Sequence, residues 1–505
     1  MKNIKTLSLL SLSALSILFS GCESYLDVEP KTFFTTETFY TKPEHAQQAV
    51  SACYDLLRRP YRGVGTYGES PFFMLEFATG MCNTSIGQAV YSSEFREANA
   101  SEDNVYAWDW WQSFYQGIEN CNIAIEKLPT IPGVSDDEKS HYLGEVHFLR
   151  AYFYFMLVQI YGDIPLKTTA THSAEGANIK RTSIKEVYDV VVSDLLEAEK
   201  STLPMVSSSG KVTKGAVKSL LAKVYLTMAG FPLQNKEMYE KAALKSKEVI
   251  DAGLYDLFAT YDELRDSQNK NGKEHIFSTQ FEVGIVENQI HDWLLPRYSR
   301  ISNYSNEYGC FYPDSSFIRT FDKKDKRVQE KVFFYTEYPK VDNPDVIVHF
   351  PAHVYKFFDE SAMETLRGGR NYVNLRYADL LLIYAEAQNE VDGFPNAMAL
   401  DCYNKVRQRA GFEKSTSADF SSKEAFRDAV WKERYWELCF ENQTWFDMAR
   451  TRKVFNLKEN RISDFVGYVL PYGDGSFKFT EKQLLFPIPL RERQTNSELT
   501  QNPGY

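Results

Sequence analysis

The sequence predicts a predominantly α-helical protein in which paired helices form a repeated framework interrupted by long irregular insertions with minor β-structure. Three observations support this prediction: a nearly all-apolar helical segment within 136–161, two similar helix pairs at 216–250 and 377–409, and loop-rich stretches at 60–105 and 252–367. At 505 residues the chain is long enough for a large core. Its 43% hydrophobic and 25% charged residues are typical of a folded globular protein, whereas its 15% aromatic content is unusual.

The N-terminus has the pattern of an export signal. Two lysines precede a mostly apolar stretch at 7–19, which is too short to span a membrane. Cys22 follows a Ser-Gly pair, so we predict that residues 1–21 are a lipoprotein signal peptide and that Cys22 becomes the lipidated first residue of the mature protein. Residues 22–40 are then expected to form an extended, lipid-anchored tether.

Apolar periodicity predicts the first helices. They are expected over 43–57, 108–128 and 136–161. From Val146 onward the third helix is nearly all apolar or aromatic, as expected of a helix buried on every side, and Gly162 provides its stop. Arg150 and His147 interrupt the apolar run, and we expect buried carboxylates or carbonyls to be their partners.

Two later segments repeat one pattern. Their helices are predicted at 216–228 with 238–250, and at 377–389 with 397–409. Small residues such as Ala222 and Ala387 allow paired helices to approach closely, and each pair occupies roughly the 34 residues of a tetratricopeptide repeat, which the pattern resembles. We therefore predict a tetratricopeptide-like helical-repeat scaffold, with one further helix running from Ser421 through Trp436 towards Thr451.

The predicted helices divide a single domain into framework and insertions. Over residues 41–505, the framework covers about 41–60, 106–251 and 368–455, and the insertions cover about 60–105 and 252–367. Short β-like runs are predicted in the second insertion at 275–280, 331–338 and 346–350. The same insertion holds 16 aromatic residues in the 66-residue stretch 293–358. Because long irregular segments on a rigid scaffold usually carry binding function, we expect several of these rings to be exposed.

Composition and motifs argue against several classes of function. A net charge of −11 disfavours non-specific nucleic-acid binding, which needs a basic surface. Neither CxxC nor HExxH occurs, and the histidines have no metal-binding spacing, so we predict neither a metal site nor a cofactor. The string Gly63-x-Gly65-x-x-Gly68 matches a dinucleotide fingerprint, but it follows a predicted helix rather than a strand.

Two carboxylates supply an enzymatic alternative. Glu437 and Glu441 are one helical turn apart, roughly 6 Å, which is close to the separation in a retaining glycosidase. Such a pair must flank a sugar ring in a cleft, which one helix surface seldom offers. Arg434 and Arg450 are available as ion-pair partners, so we expect a structural role for both carboxylates.

Six cysteines remain after Cys22, and an even number permits disulfides in an exported protein. Cys53, Cys121 and Cys402 each lie on an apolar helical stripe, where free cysteine behaves as a small buried hydrophobe. We therefore expect most of the six to be free.

Six ordered blocks carry a family resemblance. They are YLDVEP at 25–30, FLRAYFYF with LVQIYGDIPL across 148–166, RYADLLLIYAEA at 376–387, NKVRQRAG at 404–411, ER with ELCFE and WFD across 433–447, and FPIP with QNPGY across 486–505. Together they resemble the SusD/RagB-like outer-membrane lipoproteins. The blocks cover mostly the helical framework, so the resemblance indicates the fold more strongly than the ligand.

The resemblance implies a protein anchored on the outer face of the outer membrane. It further implies non-catalytic binding of an oligosaccharide or polysaccharide, which is delivered to a SusC-like TonB-dependent β-barrel transporter, with the ligand platform built from the two insertions. A flat ring can stack on a sugar face, while polar side chains hold the hydroxyls. We therefore predict these ligand-binding residues: Trp293 first, then Tyr304, Tyr308, Tyr91 and Trp108, with Asn83 and Arg300 as polar contacts. The alternatives are the same role for peptide cargo, and a glycoside hydrolase that uses Glu437 and Glu441.

Overall fold

The computed structural model describes residues 39–61, 70–85, 90–173, 176, 178–304, 307–365, 367–471 and 477–505. The predicted signal peptide, Cys22, almost all of the predicted tether and the Gly63–Gly68 string lie outside the described residues. Among the described helices, none has both the length and the apolar character needed to span a bilayer.

Helices dominate the described chain, which confirms the predicted fold class. In chain order they are α1 (Pro43–Asp55), α2 (Met74–Phe77), α3 (Val90–Arg96), α4 (Val105–Lys127), α5 (Asp136–Tyr161), α6 (Ile184–Lys200), α7 (Lys214–Ala229), α8 (Met238–Asp251), α9 (Tyr261–Arg265), α10 (Ile290–Trp293), α11 (Ser315–Ile318), α12 (Tyr377–Asp392), α13 (Ala397–Arg409), α14 (Lys423–Glu437), α15 (Thr444–Thr451) and α16 (Leu490–Thr495). The long helices pack side by side along the chain, α4 on α5, α5 on α6, α7 on α8 and α12 on α13.

Helix α5 is deeply buried over its C-terminal half. Ser135 and Glu138 form a capping box at its start, and Gly162 ends it with a positive φ of 75°. From Val146 to Tyr161 all residues except His147 and Gln159 are buried, as the sequence predicts for a helix that is apolar on every side.

The two predicted helix pairs are confirmed, as α7 with α8 and α12 with α13. Ala222 on α7 and Ala242 on α8 are fully buried, which allows the close approach expected of small residues. Helix α6 was not predicted, although the chain offered a signal for it: Ser183 caps the amide of Glu186, and apolar residues recur along the buried face of the helix.

The single helix predicted over 421–451 is wrong, because α14 and α15 are separated by a turn in which Phe440 and Asn442 have positive φ angles of 65° and 55°. The Lys356 ammonium donates to the carbonyl oxygens of Glu437 (2.8 Å) and Cys439 (3.1 Å). A buried side chain distant in sequence thus satisfies backbone groups that a continuous helix would have paired internally.

The β-structure consists of short antiparallel pairs. The described strands are β1 (Cys82–Asn83), β2 (Ile164–Pro165), β3 (Arg181–Thr182), β4 (His275–Thr279), β5 (Tyr312–Pro313), β6 (Phe334–Lys340), β7 (Asn343–Val354), β8 (Tyr372–Arg376), β9 (Lys453–Asn456) and β10 (Arg461–Asp464), paired as β1–β5, β2–β3, β4–β8, β6–β7 and β9–β10. The three predicted β-like runs correspond to β4, β6 and part of β7. The six cysteines after Cys22 are all buried, and none of them is joined to another in a disulfide.

Candidate functional site

Trp293, the first-ranked ligand-binding residue, is fully buried, so the prediction that its ring is exposed is wrong. Its indole packs edge-on against Phe73, with 5.7 Å between ring centres. The polar residues that made this loop look exposed are themselves buried: Asn288 donates to the carbonyl of Arg370 at 2.8 Å and accepts from the amide of Ile290 at 3.1 Å. Internal hydrogen bonds therefore turn the polar loop inward and bury the tryptophan with it.

Tyr304 is buried as well, and its hydroxyl donates to the carbonyl of Ala362. It belongs to a second hydrophobic cluster, which we call the hairpin core: Leu295, Ile301, Tyr304, Tyr335 and Phe358, surrounded by half-buried Tyr338, Val348, Phe350, Tyr355 and Met363. Much of the aromatic excess at 293–358 thus builds a core beneath the β6–β7 hairpin. The expectation that several rings of this stretch are exposed is wrong for Tyr304, Tyr335 and Phe358.

A buried carboxylate organises the loop that precedes this core. Glu307 is 1% exposed and accepts hydrogen bonds from the amides of Arg300, Ile301 (2.7 Å) and Ser302 (2.8 Å). It also accepts from the hydroxyls of Ser299 (2.7 Å) and Ser302 (3.0 Å). Charge-assisted hydrogen bonds of this kind are stronger than neutral ones, so Glu307 fixes the loop in one conformation.

The loop held by Glu307 presents one exposed aromatic ring. Tyr298 is 63% exposed, and both Tyr298 and Arg300 have positive φ angles, 56° and 60°. The Arg297 guanidinium lies 4.9 Å from the Tyr298 ring centre and donates to the carbonyl of Ser85 at 2.6 Å. Arg300 is exposed and pairs with Asp342 at 2.7 Å. Such uncommon backbone conformations cluster at ligand-binding sites.

We call Ser85, Arg297, Tyr298, Arg300 and Asp342 the Tyr298 surface. Its ring can stack on an apolar face, and its guanidinium, carboxylate and carbonyl groups can exchange hydrogen bonds with hydroxyls. The sequence prediction included Arg300 but missed Tyr298. The available signal was its setting, since Pro296-Arg-Tyr-Ser-Arg300 places this tyrosine among polar turn residues.

Asn83 and Tyr308 lie beside the Tyr298 surface. Asn83 is half-buried, pairs with Tyr312 across β1–β5, and accepts a hydrogen bond from Arg96. The Ser85 amide donates to the Gly309 carbonyl at 2.9 Å, next to half-buried Tyr308. Residues from both predicted insertions therefore meet here.

Tyr91 and Trp108 have other surroundings. The half-buried Tyr91 ring lies 5.8 Å from the ring of Tyr106, and the half-buried Trp108 ring is covered by the Arg491 guanidinium at 4.4 Å. Within the described chain, neither ring stacks on a ring of the Tyr298 surface or lies under one of its guanidinium groups.

Glu437 and Glu441 are buried in an arginine network, which gives them the structural role expected. Glu437 accepts from Arg376 and Arg409, each at 2.8 Å, and Glu441 pairs with Arg376 at 2.7 Å and with Lys356. Burial alone would raise the pKa of Glu437, but Arg409 and Arg376 outweigh it and hold that pKa well below its ordinary value. A glycosidase acid needs the opposite shift, so this geometry does not support catalysis by the pair.

The partners of the two carboxylates differ from those predicted. Arg434 instead binds Asp379 and Asp447, each at 2.7 Å, and Arg450 binds Glu386 at 2.6 Å. Arg434 precedes Glu437 by only three residues, but the two side chains do not pair. The arginines that reach Glu437 come from other elements, among them Arg376 on β8 and Arg409 on α13. In the described part of the chain, no group of three or more His, Cys, Asp or Glu side chains is placed to hold a metal ion.

Two family models match the chain. The model of the SusD family matches residues 349–505, and a model described as "Starch-binding associating with outer membrane" matches residues 25–226. A SusD-like protein of Formosa agariphila is 26% identical over 547 aligned residues, with full coverage of both chains.

Solved structures extend the similarity. A SusD superfamily protein from Parabacteroides distasonis is 38% identical, with a TM-score of 0.87, over 94% of this chain and 100% of that one. A laminarin-binding SusD-like protein is 23% identical, with a TM-score of 0.74, over 92% and 100%. Surface glycan-binding protein A from Bacteroides uniformis is 20% identical, with a TM-score of 0.73, over 91% and 99%. Because the last two proteins are only 23% and 20% identical to this chain, their similarity to it shows a shared fold.

Proposed function

The chain belongs to the SusD superfamily, and on that premise we propose that it is a cell-surface lipoprotein that binds an oligosaccharide or polysaccharide. In this proposal it delivers the glycan, uncleaved, to a SusC-like TonB-dependent transporter in the outer membrane. The related proteins support the general role, since they are described by starch binding, laminarin binding and surface glycan binding.

One observation carries the assignment of the site. Tyr298 is an exposed ring on a loop that Glu307 has already ordered, so little conformational entropy is lost when a sugar stacks on it. Arg297, Arg300 and Asp342 lie around the ring and offer both donors and acceptors to hydroxyl groups. We therefore assign glycan binding to the Tyr298 surface in place of Trp293.

The test is a binding screen of soluble residues 23–505 against neutral polysaccharides by affinity electrophoresis, followed by calorimetry on any hit. We expect Tyr298→Ala to weaken binding about fivefold or more, since loss of one stacked ring costs on the order of 1–3 kcal/mol. Phe394→Ala, which removes an exposed ring on the framework between α12 and α13, is the matched control and should bind as wild type.

Two results would count against the proposal. Equal affinity of Tyr298→Ala and wild type for the polysaccharide would show that the Tyr298 surface is not the glycan-binding site. Binding to peptides and to no polysaccharide would favour the peptide-cargo alternative. The transporter role is tested separately: an epitope-tagged chain isolated from detergent-extracted outer membranes should retain a TonB-dependent β-barrel protein.

A further inference from the structure

A small polar cavity lies apart from the Tyr298 surface. It is formed where α9 and the turn after it meet β4, β8 and the segment before β8. Its lining residues include Arg265, Lys270, His275, Lys356, Arg370 and Arg376. The cavity has a volume of about 40 Å³, and on the same measure a single water molecule needs about 10–15 Å³. It therefore has room for a group of a few atoms and not for a sugar ring.

Most of the positive charge at this cavity is already neutralised. Arg376 and Lys356 pair with Glu441, Lys270 pairs with Glu282 at 2.9 Å, and Arg265 pairs with Asp262. These four cations therefore contribute little net attraction for a further anion, and the exposed Asp266 carboxylate at the opening adds a negative charge.

Arg370 is the exception. Its guanidinium donates to the carbonyls of Phe358 at 3.1 Å and Leu264 at 3.4 Å, and within the described chain it makes no ion pair. Arg370 is half-buried, and burial together with the nearby guanidinium of Arg265 lowers its pKa to about 9, against the opposite influence of the Asp359 and Asp266 carboxylates. A guanidinium that is partly withdrawn from water and makes no ion pair favours binding of an anion, because an unpaired charge in such surroundings is costly.

His275 supplies a second observation at this cavity. It is 8% exposed and lines the same cavity; the Asn269 backbone lies near its ring, but neither ring nitrogen makes a close hydrogen bond within the described chain. Burial lowers its pKa to about 4, so the ring is neutral at pH 7 and keeps one N–H donor. Exposed Ser267 and Asp266 border the opening.

We propose that this cavity binds one compact oxyanion, a carboxylate or sulfate group, with Arg370 as its counter-ion and His275 as a hydrogen-bond donor. A planar guanidinium matches the paired oxygens of such groups. The anion can be a free ion or an acidic group carried on a sugar. The inference does not rest on the proposed glycan site, because none of the lining residues belongs to the Tyr298 surface.

The test measures thermal stability of residues 23–505 against sulfate, acetate, galacturonate and galactose at constant ionic strength, balanced with sodium chloride. A ligand that binds the folded state raises the melting temperature in a saturable way. We expect saturable stabilisation of wild type by at least one of the three anions, and at least tenfold weaker binding by Arg370→Gln. Arg367→Gln is the matched control, because this nearby arginine is exposed and already faces Glu287 at 3.7 Å.

The source of the anion follows from the same titrations. Stabilisation by sulfate or acetate indicates a free ion, and stabilisation by galacturonate alone indicates an acidic sugar. No saturable effect in wild type, equal effects in Arg370→Gln and wild type, or an equal effect of neutral galactose would overturn the proposal. If Arg370→Gln does not fold, a wild-type crystal soaked in selenate decides the question: anomalous density beside Arg370 supports the site, and its absence refutes it.

Discussion

The guanidinium of Arg150 forms a bidentate ion pair with the carboxylate of Asp194: Nε donates to Oδ2 and Nη2 donates to Oδ1, both at 2.7 Å. Arg150 also donates to the side-chain oxygen of Asn122 at 2.8 Å. The three residues lie on α5, α6 and α4, so one buried guanidinium connects three helices of the framework. The sequence predicted buried carboxylates or carbonyls as the partners of Arg150 but could not say which residues supply them.

We expect Asp194→Ala to destabilise the protein by about 3–5 kcal/mol, because it leaves the buried Arg150 charge without its partner. Chemical denaturation followed by circular dichroism measures the loss. Asp189→Ala is the matched control: its pair with Lys185 is exposed, so its removal should cost under about 1 kcal/mol. Similar losses in both variants would contradict this interpretation.

Glu437→Gln should change how stability depends on pH. The pKa of Glu437 is lower in the folded protein than the value of about 4.3 expected in the unfolded chain, so its stabilisation is complete above that pH and is lost as the pH falls. The variant should be less stable than wild type at pH 7, and the difference should shrink below about pH 4. Melting temperatures of the variant and of wild type across this pH range provide the measurement. A difference between them that grew as the pH fell would contradict the prediction.

Variants of Glu437 and Glu441 test whether the protein only binds its glycan or also hydrolyses it. We expect no release of reducing sugar from any bound oligosaccharide by wild type, and unchanged polysaccharide affinity in Glu441→Gln when the assay is run below its melting temperature. Hydrolysis by wild type that disappears in Glu437→Gln would restore the glycosidase alternative.

Trp293→Ala should act on stability instead of on ligand contact. Removing a fully buried tryptophan costs about 3–5 kcal/mol, because it opens a cavity against Phe73 and its neighbours. The more conservative Trp293→Phe should keep wild-type affinity for any bound glycan. Calorimetry on Trp293→Phe checks this, and weakened binding at unchanged stability would return Trp293 to the site.

Glu307→Gln should weaken glycan binding even though Glu307 touches no ligand in this proposal. The amide cannot replace a charged acceptor of several hydrogen bonds, so the loop carrying Tyr298 loses order and binding must then supply the ordering entropy. We expect an affinity loss of about three- to tenfold and faster amide exchange at 298–302. Weaker binding with unchanged exchange would contradict the mechanism.

Cys22→Ser should release the protein from the membrane. If Cys22 carries the acyl chains, its replacement removes the anchor, and fractionation should move the chain from the membrane pellet to the soluble fraction. Metabolic labelling with a fatty acid provides the direct readout: label should enter the wild-type chain and not the variant. Membrane retention of the variant would show that another segment holds it.

The sequence by itself determined the framework of this protein. Helix α5 and the pairs α7–α8 and α12–α13 follow from apolar periodicity and small residues, because side-chain spacing within one helix depends only on local geometry. Three of the six blocks shared with the SusD/RagB-like proteins, at 148–166, 376–387 and 404–411, lie largely on α5, α12 and α13. Most of the helical framework was therefore predictable from residues near one another in the chain, whereas the turn between α14 and α15, which Lys356 holds from a distant segment, was not.

Only the tertiary structure decided the binding surface. Trp293 and Tyr298 are five residues apart in one polar loop, yet one is fully buried and the other is mostly exposed. The difference arises because Phe73, from much earlier in the chain, packs against Trp293, whereas Glu307 holds the loop that presents Tyr298 to solvent. Burial in an irregular segment depends on such distant partners, so an aromatic count could locate the region but could not identify which ring faces solvent.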